Sequence, residues 1–359
     1  MRTSSRGAGR GSRGMTLVEL LIAFVVLLML VTALVALSTK SLETWSSGEA
    51  RKELYDRAEV VLSAVADDLR NLYAENEVYF NGRQDLPAPA LQCDEDPHRN
   101  PRIRFVRTGA PAVIRAQGPS APPPTRIPPM DYGPTWEVAY VLDPDPEKAV
   151  LWRGSRGFDR RTTGSLLRAV EYQREEDPLF RQCFTPVESG ILYVGYDFWT
   201  QYTTTWDDAA PLQAVKPGSK QAVGPSPRWD STRRQDTKFF FHRRQLDPTN
   251  PDYVYPEIVR ITVVVEGDAP DRHGVRVTEV GSSYLQLTHT RGIVDPPGMV
   301  KVGGEWIEYH GKTDTQLMQI KRARRGTVAG THAPGTPVRF GETFTTEVRI
   351  PVYRAAQEP

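Results

Sequence analysis

The stretch SRGMTLVELLIAFVVLLMLVTALVAL, from Ser12 to Leu37, decides the fold of this chain. Its last 18 residues, from Leu20 to Leu37, carry no charge and a single polar side chain, that of Thr32. At 1.5 Å of rise per residue, a helix of that length spans roughly 27 Å, close to the thickness of a hydrocarbon core. The sequence therefore predicts a transmembrane helix over residues 15–37.

The residues before this stretch set its orientation. Residues 1–14, MRTSSRGAGRGSRG, contain four arginines and no acid. The positive-inside rule keeps such a leader in the cytoplasm and exports everything after Leu37. No small-x-small cleavage site follows the apolar run, which distinguishes it from an ordinary secretory signal peptide. We therefore expect the apolar helix to remain as an anchor.

One carboxylate, Glu19, lies at the head of the apolar run. A charge at the centre of a bilayer costs about 2.5–3.5 kcal/mol on insertion scales, and less near the interface. The side chain therefore needs a partner, or a position where its charge is tolerated.

Arg13-Gly14 followed by MTLVELL resembles the class III signal of type IV pilin-like proteins. The resemblance implies that a prepilin peptidase cleaves between Gly14 and Met15 and that the new amino group of Met15 is methylated. The family usually has Phe at the position of Met15, so this chain departs from the pattern there. The resemblance also implies that Glu19 pairs with the amino terminus of a neighbouring subunit, where opposite charges about 4 Å apart are worth several kcal/mol. A plain signal anchor with an interfacial glutamate is the alternative.

Apolar residues continue at helical spacing beyond the membrane segment, over residues 38–75. They recur at steps of three and four and form one stripe: Leu54, Ala58, Val61, Val65, Leu69 and Leu72. This amphipathic half predicts the stalk of a pilin, packed under a β-sheet head. The phrase LSAVADDLRNLY, near its end, resembles W-type minor pilins and J-type minor pseudopilins.

Residues 76–288 predict a β-rich head. TWEVAYVLDPDPEKAVLWRG has two alternating runs around a Pro/Asp turn and predicts a hairpin. Further strands are predicted at Ile191–Trp199 and in PEIVRITVVVEG, where Val259, Ile261, Val263 and Val265 share one face. Twelve prolines between Gln84 and Pro134 predict a surface excursion that is neither regular helix nor central strand.

Residues 289–341 predict a small inserted β module. VKVGGEWIEYHG predicts a tight hairpin with Gly303-Gly304 at its turn. Together with the following residues it resembles a module of phage tail and bacterial surface proteins, marked by Arg325-Gly326, Gly330-Thr331 and His332. We expect these glycines and His332 to fix turns. Residues 342–359 then return a final strand to the parent sheet, giving an α+β fold.

Two cysteines, Cys93 and Cys183, lie in the predicted exported part, where disulfides persist. A bridge between them would close a loop of about 90 residues and contribute about 4–5 kcal/mol in the chain-entropy model. Two buried thiols are the alternative.

The sequence predicts no cofactor, no enzymatic activity and no binding of nucleic acid. Asp143, Asp145 and Glu147 have a spacing compatible with calcium, but the glycine and closing acid of a calcium loop are missing, which favours a solvated turn. The six histidines form no metal motif, and neither a G-x-S-x-G elbow nor a P-loop is present. The net charge of +1 implies no global attraction to nucleic acid. RWDSTRRQDTKFFFHRRQ mixes arginines with phenylalanines, and we interpret it as a strand with basic flanks rather than a stacking surface for single strands.

These features predict a non-enzymatic minor pilin that primes a type IV pilus or forms part of its tip. The alternatives are a J-type minor pseudopilin of a type II secretion system and a solitary membrane-anchored adhesin or binding protein. The expected partners are the prepilin peptidase, other minor pilins and the major pilin through the N-terminal helix, a tip adhesin, and inner-membrane lipid before assembly. The expected location is the bacterial inner membrane, with the head in the periplasm, and then the pilus or cell surface.

Overall fold

One long helix precedes a series of strands. The computed structural model describes residues 16–73, 91–96, 99–109, 135–143, 145, 148–157, 183–199, 203–207, 224, 228–230, 255–266 and 274–350. The helix is α1 (Leu17–Arg70), of 54 residues. The strands, in chain order, are β1 (Gln92–Glu95), β2 (Pro101–Thr108), β3 (Thr135–Leu142), β4 (Val150–Gly157), β5 (Phe184–Ser189), β6 (Ile191–Trp199), β7 (Trp229–Asp230), β8 (Ile258–Glu266), β9 (Val277–Val280), β10 (Tyr284–Leu287), β11 (Gly298–Val302), β12 (Glu305–Tyr309), β13 (Gly311–Lys312), β14 (Gln316–Met318), β15 (Lys321–Arg324), β16 (Val338–Arg339) and β17 (Gly341–Arg349).

The chain divides into two units, Met1–Lys52 and Glu53–Pro359, and α1 runs through the boundary. In the first unit the helix is long and apolar enough to cross a membrane. In the second unit α1 ends at Arg70, a few residues before the end predicted near Glu75. The chain leaves the helix there because it joins the sheet: Leu72 bridges to Arg107, and the Tyr73 N–H donates to the Val106 carbonyl at 2.8 Å.

The second unit is built around one main core. A six-stranded antiparallel sheet, in the order β5-β4-β3-β2-β1-β7, and a three-stranded sheet, β17-β8-β6, enclose it together with the last turns of α1. The predicted apolar stripe of α1 is confirmed, because its six residues are all at most 5 % exposed. The predicted hairpin is confirmed as β3 and β4, and the predicted strand at Ile191–Trp199 is β6. The predicted inner face of β8 is also confirmed.

The expectation for the proline-rich region was wrong over two stretches. Residues 92–95 and 101–108 form β1 and β2, and β2 lies inside the six-stranded sheet. Proline is tolerated here because Pro101 is the first residue of β2, where a missing N–H costs least. The following residues supply the buried side chains of a central strand, including Ile103 and Phe105.

A second core lies between two further four-stranded sheets, β13-β14-β10-β9 and β15-β12-β11-β16. This core extends from Val275 to Phe340, so it begins before the boundary predicted at residue 289. The earlier start arises because β9 pairs with β10, and β10 in turn pairs with β14, where Leu285 lies opposite Leu317. We call residues 275–340 the module.

The module hairpin is present as β11 and β12. Of its two turn glycines, Gly303 has a φ of 56°, whereas Gly304 is outside the left-handed region. After the module the chain returns to the parent sheet as β17, which pairs with β8. An N-terminal helix followed by antiparallel sheets confirms the α+β fold class.

Candidate functional site

The start of α1 is closed by a reciprocal hydrogen-bond pattern. The Thr16 backbone N–H donates to Glu19 Oε2 at 2.8 Å, and the Thr16 hydroxyl donates to the same oxygen at 3.0 Å. In return, the Glu19 N–H lies 3.3 Å from the Thr16 hydroxyl oxygen. This is a capping box, in which side chains satisfy N–H groups that have no partner within the helix. Glu19 therefore has a structural role within its own chain.

The apolar side chains of the helix after Glu19 are not packed against any other described part of the chain. From Leu17 to Leu37 every side chain is exposed. Exposed apolar area costs about 25 cal/mol per Å² in water, so a surface of this length must be buried in lipid or against other helices. A capped helix start followed by such a surface fits a segment that inserts in a membrane or packs in a helical bundle.

A comparison with known families adds a second observation about this helix start. The prokaryotic N-terminal methylation motif matches residues 9–35. The chain carries a type IV pilin-like class III signal. The match covers the end of the leader from residue 9, together with Gly14, Met15 and Glu19, and of these positions only Glu19 lies within the described residues. No curated protein matches the chain.

In the head, one carboxylate ties α1 to three strands. Asp68 is 2 % exposed. It accepts hydrogen bonds from Arg107 of β2, from the Tyr140 hydroxyl of β3 at 2.6 Å, and from Arg153 of β4 at 2.6 and 2.9 Å. Burial raises the pKa of Tyr140 well above its usual value, and the neighbouring Asp68 charge raises it further. Tyr140 therefore stays protonated and acts as a donor.

A second buried carboxylate lies within the six-stranded sheet. Glu137 of β3 is 2 % exposed and accepts from Arg104 of β2 and, at 2.6 Å, from Arg156 of β4. Arg104 also donates to Gln92 of β1 at 3.2 Å. Because a buried charge is costly without partners, these two networks fix which strands lie side by side.

The module is fastened to the head through aromatic and cationic side chains. Trp306 of β12 is 1 % exposed and packs in a cluster with Leu192 of β6 and Val264 of β8. The Arg325 guanidinium lies 4.3 Å from the ring centre of Tyr193 and 4.4 Å from that of Trp306. Such a cation between two rings contributes about 2 kcal/mol or more when it is removed from water.

Two charged contacts complete the junction. Lys301 of β11 donates to the Leu192 carbonyl at 3.2 Å, and burial lowers its pKa to about 8. Arg339 of β16 binds Glu266, at the end of β8, through both carboxylate oxygens. The module is thus joined to the three-stranded sheet by packing and by hydrogen bonds.

Within the module, Glu305 organises the segment that contains His332. One oxygen accepts from Arg322 at 3.0 Å and from the Ala323 N–H at 3.0 Å. The other accepts from Arg322 at 2.5 Å, from the Gly330 N–H at 3.1 Å, and lies 2.7 Å from His332 Nε2. Burial alone would raise the pKa of Glu305, but these donors lower it to about 2. His332 itself lies in a stretch without regular structure, and its contact with Glu305 ties this stretch to β12; that His332 fixes a turn stays a prediction.

The predicted disulfide is wrong for this fold. Cys93 and Cys183 are both thiols. Cys93 lies on β1 and packs in the main core, whereas Cys183 precedes β5 and packs on the other face of the sheet beside Phe184. Four strand steps separate β1 from β5, which is roughly 19 Å at about 4.8 Å per step. A disulfide requires Cα atoms within about 7 Å, so these two residues are too far apart.

The acidic turn considered for calcium has a local explanation. Asp143 accepts from the Asp145 N–H at 2.9 Å and from the Trp152 indole at 3.0 Å. One contact closes the turn, and the other holds the indole of β4. Glu147 lies outside the described residues, and within those described no group of three metal-binding side chains was found. Most of the basic and aromatic stretch 228–245 is also outside them.

Sequence reasoning missed three organising residues. Thr16 belongs to a T-x-x-E pattern, which is a recognised signal for the start of a helix. This pattern could have indicated the role of Thr16 from the sequence alone. Asp68 and Glu305 gave no such signal, because each is one acid among many until the strand order brings distant arginines to it.

Proposed function

We propose that this chain is a minor pilin of a type IV pilus, which helps prime assembly or forms part of the pilus tip. One observation carries the proposal: the methylation motif coincides with a capped helix whose apolar side chains are exposed along its membrane-spanning length. Such a helix is suited first to the inner membrane and then to a bundle of like helices. In this role the chain has no catalytic task.

In this proposal a prepilin peptidase removes residues 1–14, and Met15 becomes the methylated N-terminus. Glu19 then meets the terminal amine of a neighbouring subunit in the helical bundle. Its partners are other minor pilins and the major pilin, with an adhesin at the tip. The leader faces the cytoplasm, and the head faces the periplasm before it reaches the cell surface.

The module favours the tip over a compact pseudopilin. It adds a second core of its own to the head, held by Trp306, Arg325 and Arg339. A subunit at an exposed tip has room for such an addition, whereas subunits inside a filament are surrounded by neighbours. The J-type minor pseudopilin of a type II secretion system is the second candidate, since the helix end around Asp68 resembles both classes.

The experiment is to follow processing and assembly in the native host. Mature protein in sheared filaments should begin at Met15 with a methylated amine, and Gly14→Val should leave the leader attached. Gly11→Val, within the leader and away from the junction, is the matched control and should be processed normally. Recovery of the chain with pilus subunits supports the pilus, and recovery with secretion-system pseudopilins supports the second candidate. Recovery of uncleaved chain that begins at Met1 from assembled filaments would refute both.

A further inference from the structure

Strand β17 forms an unusually open edge of the head. It pairs with β8 over nine successive residues, from Gly341 opposite Glu266 to Arg349 opposite Ile258, without a register shift. In the described part of the chain its other side has no strand beside it. Regular edge strands of this length are templates for another strand, and proteins usually protect them.

The other sheet edges of the described chain all carry a protective feature. Strand β5 contains Pro186 and a register shift, and β7 has only two residues. Strand β6 also contains a register shift, and its Leu192 carbonyl accepts from Lys301. In the module, β13 and β16 have two residues each, β9 has four, and β15 is distorted by the left-handed Ala323. Strand β17 has no proline, no lysine and no bulge.

The backbone direction along β17 follows from the pairing of β8. The Glu266 N–H donates to the Gly190 carbonyl, on the β6 side. Because backbone groups alternate in direction along an antiparallel strand, every second residue of β8, beginning with Val265, directs its N–H and C=O towards β17. At the other end the Glu257 carbonyl accepts from the Ile350 N–H, which agrees with this alternation. Alternate residues of β17 therefore form hydrogen bonds with β8, and the residues between them direct their backbone N–H and C=O away from β8. These are Thr343, Thr345, Glu347 and Arg349, and all four are exposed.

An apolar surface continues from this edge onto α1. Phe344 of β17 contacts Tyr55 of α1 edge to face, with 5.1 Å between the ring centres. Tyr55 is nevertheless 54 % exposed. A strand added beside β17 would extend the three-stranded sheet and offer cover to this aromatic pair.

We infer that β17 receives an extended strand from the head of a neighbouring subunit that carries the same N-terminal motif. This inference rests on the proposed function, since assembly through N-terminal helices brings the heads of neighbouring subunits together. Recognition is through the backbone, with paired N–H and C=O groups at Thr343, Thr345 and Glu347. Glu347 already accepts from Arg260 of β8 at 3.0 Å, so among the charged side chains of this edge Arg349 is the one that favours an acidic residue on the incoming strand.

The test compares Thr345→Pro with Thr345→Val in the full chain, expressed in the native host. Proline removes an N–H that points away from β8, so the native ladder is retained, whereas valine keeps the N–H. We expect Thr345→Pro to lower recovery of the chain in the filament or priming complex about tenfold, through lost backbone hydrogen bonds. Thr345→Val should assemble like the wild type. Equal recovery of the proline, valine and wild-type chains would overturn the inference.

A cross-linking experiment guards against a folding defect in the proline variant. A photoreactive amino acid at Thr343, in an otherwise wild-type chain, should cross-link to one continuous segment in the head of another subunit. The same group at Val328, an exposed residue of the module, should not mark that segment. Cross-links from Thr343 only within its own chain, or to lipid, would refute the inference. If the chain still enters filaments in that case, the proposed function stands and the docking edge alone fails.

Discussion

Arg153 and Asp68, 85 residues apart in the chain, are joined by two hydrogen bonds of 2.6 and 2.9 Å. Both side chains are almost completely buried, at 5 % and 3 % exposure. Arg107 contacts the same carboxylate, so one acid compensates two buried cations. This contact holds α1 against β2 and β4 and sets the position of the helix on the sheet.

The first prediction removes that charge. Asp68→Asn should lower the free energy of unfolding by about 3–5 kcal/mol, because it leaves Arg153 buried without a charged partner and Arg107 with only the more distant Asp67. Asp67→Asn is the matched control: its side chain is 56 % exposed and lies 3.8 Å from Arg107, so we expect a change below about 1 kcal/mol. Chemical denaturation of the mature chain in detergent, followed by tryptophan fluorescence, measures both. Equal losses in the two variants would contradict the anchoring role of Asp68.

Local patterns in the sequence predicted the helix and several of the strands of this fold. The α1 stripe, the β3–β4 hairpin, β6, β8 and the module hairpin all follow from residue spacing over short windows. The sites depend on strand order instead. Nothing near Asp68 in the sequence indicates Arg153, because their contact requires β4, β3 and β2 to lie side by side under the helix.

The two wrong predictions, for the proline-rich region and for the disulfide, also failed because the outcome depended on strand order. Proline density suggested an irregular segment, yet the strand-forming run after Pro101 outweighed it once β1 and β3 were available as neighbours. Cysteine location outside the membrane suggested a bridge, but strand order placed Cys93 and Cys183 far apart. Compartment and composition predict whether disulfides are allowed, whereas topology decides which thiols meet.

The second prediction concerns these thiols. Cys93 is 3 % exposed, and burial raises its pKa well above the usual value, so its thiolate is scarce. Burial also raises the pKa of Cys183, but this residue is only partly buried. Iodoacetamide should therefore modify Cys183 in the native chain and Cys93 only after unfolding. Mass spectrometry of an unreduced digest is the measurement, and a peptide pair linking the two cysteines would show that the strand order given above is incorrect.

The third prediction concerns acid and the module. The Glu305 pKa of about 2 lies below its ordinary value of 4.5, so the ionised side chain stabilises the fold at pH above about 4.5. That contribution is lost as the pH falls from about 4.5 towards 2. Glu305→Gln should be less stable than the wild type at pH 7 by up to about 3 kcal/mol, and the gap should narrow on acidification.

Urea denaturation of the mature chain between pH 7 and pH 3 tests this difference. Glu279→Gln serves as the control, because Glu279 is exposed and its described contact is a 2.6 Å hydrogen bond from Tyr284. We expect this variant to follow the wild type at each pH. A gap for Glu305→Gln that stayed constant with pH would show that the ionised carboxylate does not organise the Gly330–His332 segment.

The last prediction separates two roles of Glu19. Within its own chain the carboxylate accepts from the Thr16 N–H and hydroxyl, which is a role that glutamine also fills in capping boxes. Pairing with the amine of a neighbouring subunit requires the charge. Glu19→Gln keeps the cap and removes the charge, whereas Glu19→Val removes both. If the charge is needed, both variants should reach the filament at least about tenfold less than the wild type, because the neighbour's amine loses its partner in a dry bundle.

If the cap alone is needed, Glu19→Gln should assemble like the wild type and only Glu19→Val should fail. Leader removal, read by mass spectrometry, should be normal in both variants because Gly14 is unchanged. Glu53→Gln is the control. Glu53 pairs with Arg57 at 2.6 Å and its side chain is 54 % exposed, so its loss should have little effect. Recovery in sheared filaments relative to the inner membrane distinguishes these outcomes, and normal recovery of Glu19→Val would contradict both roles at once.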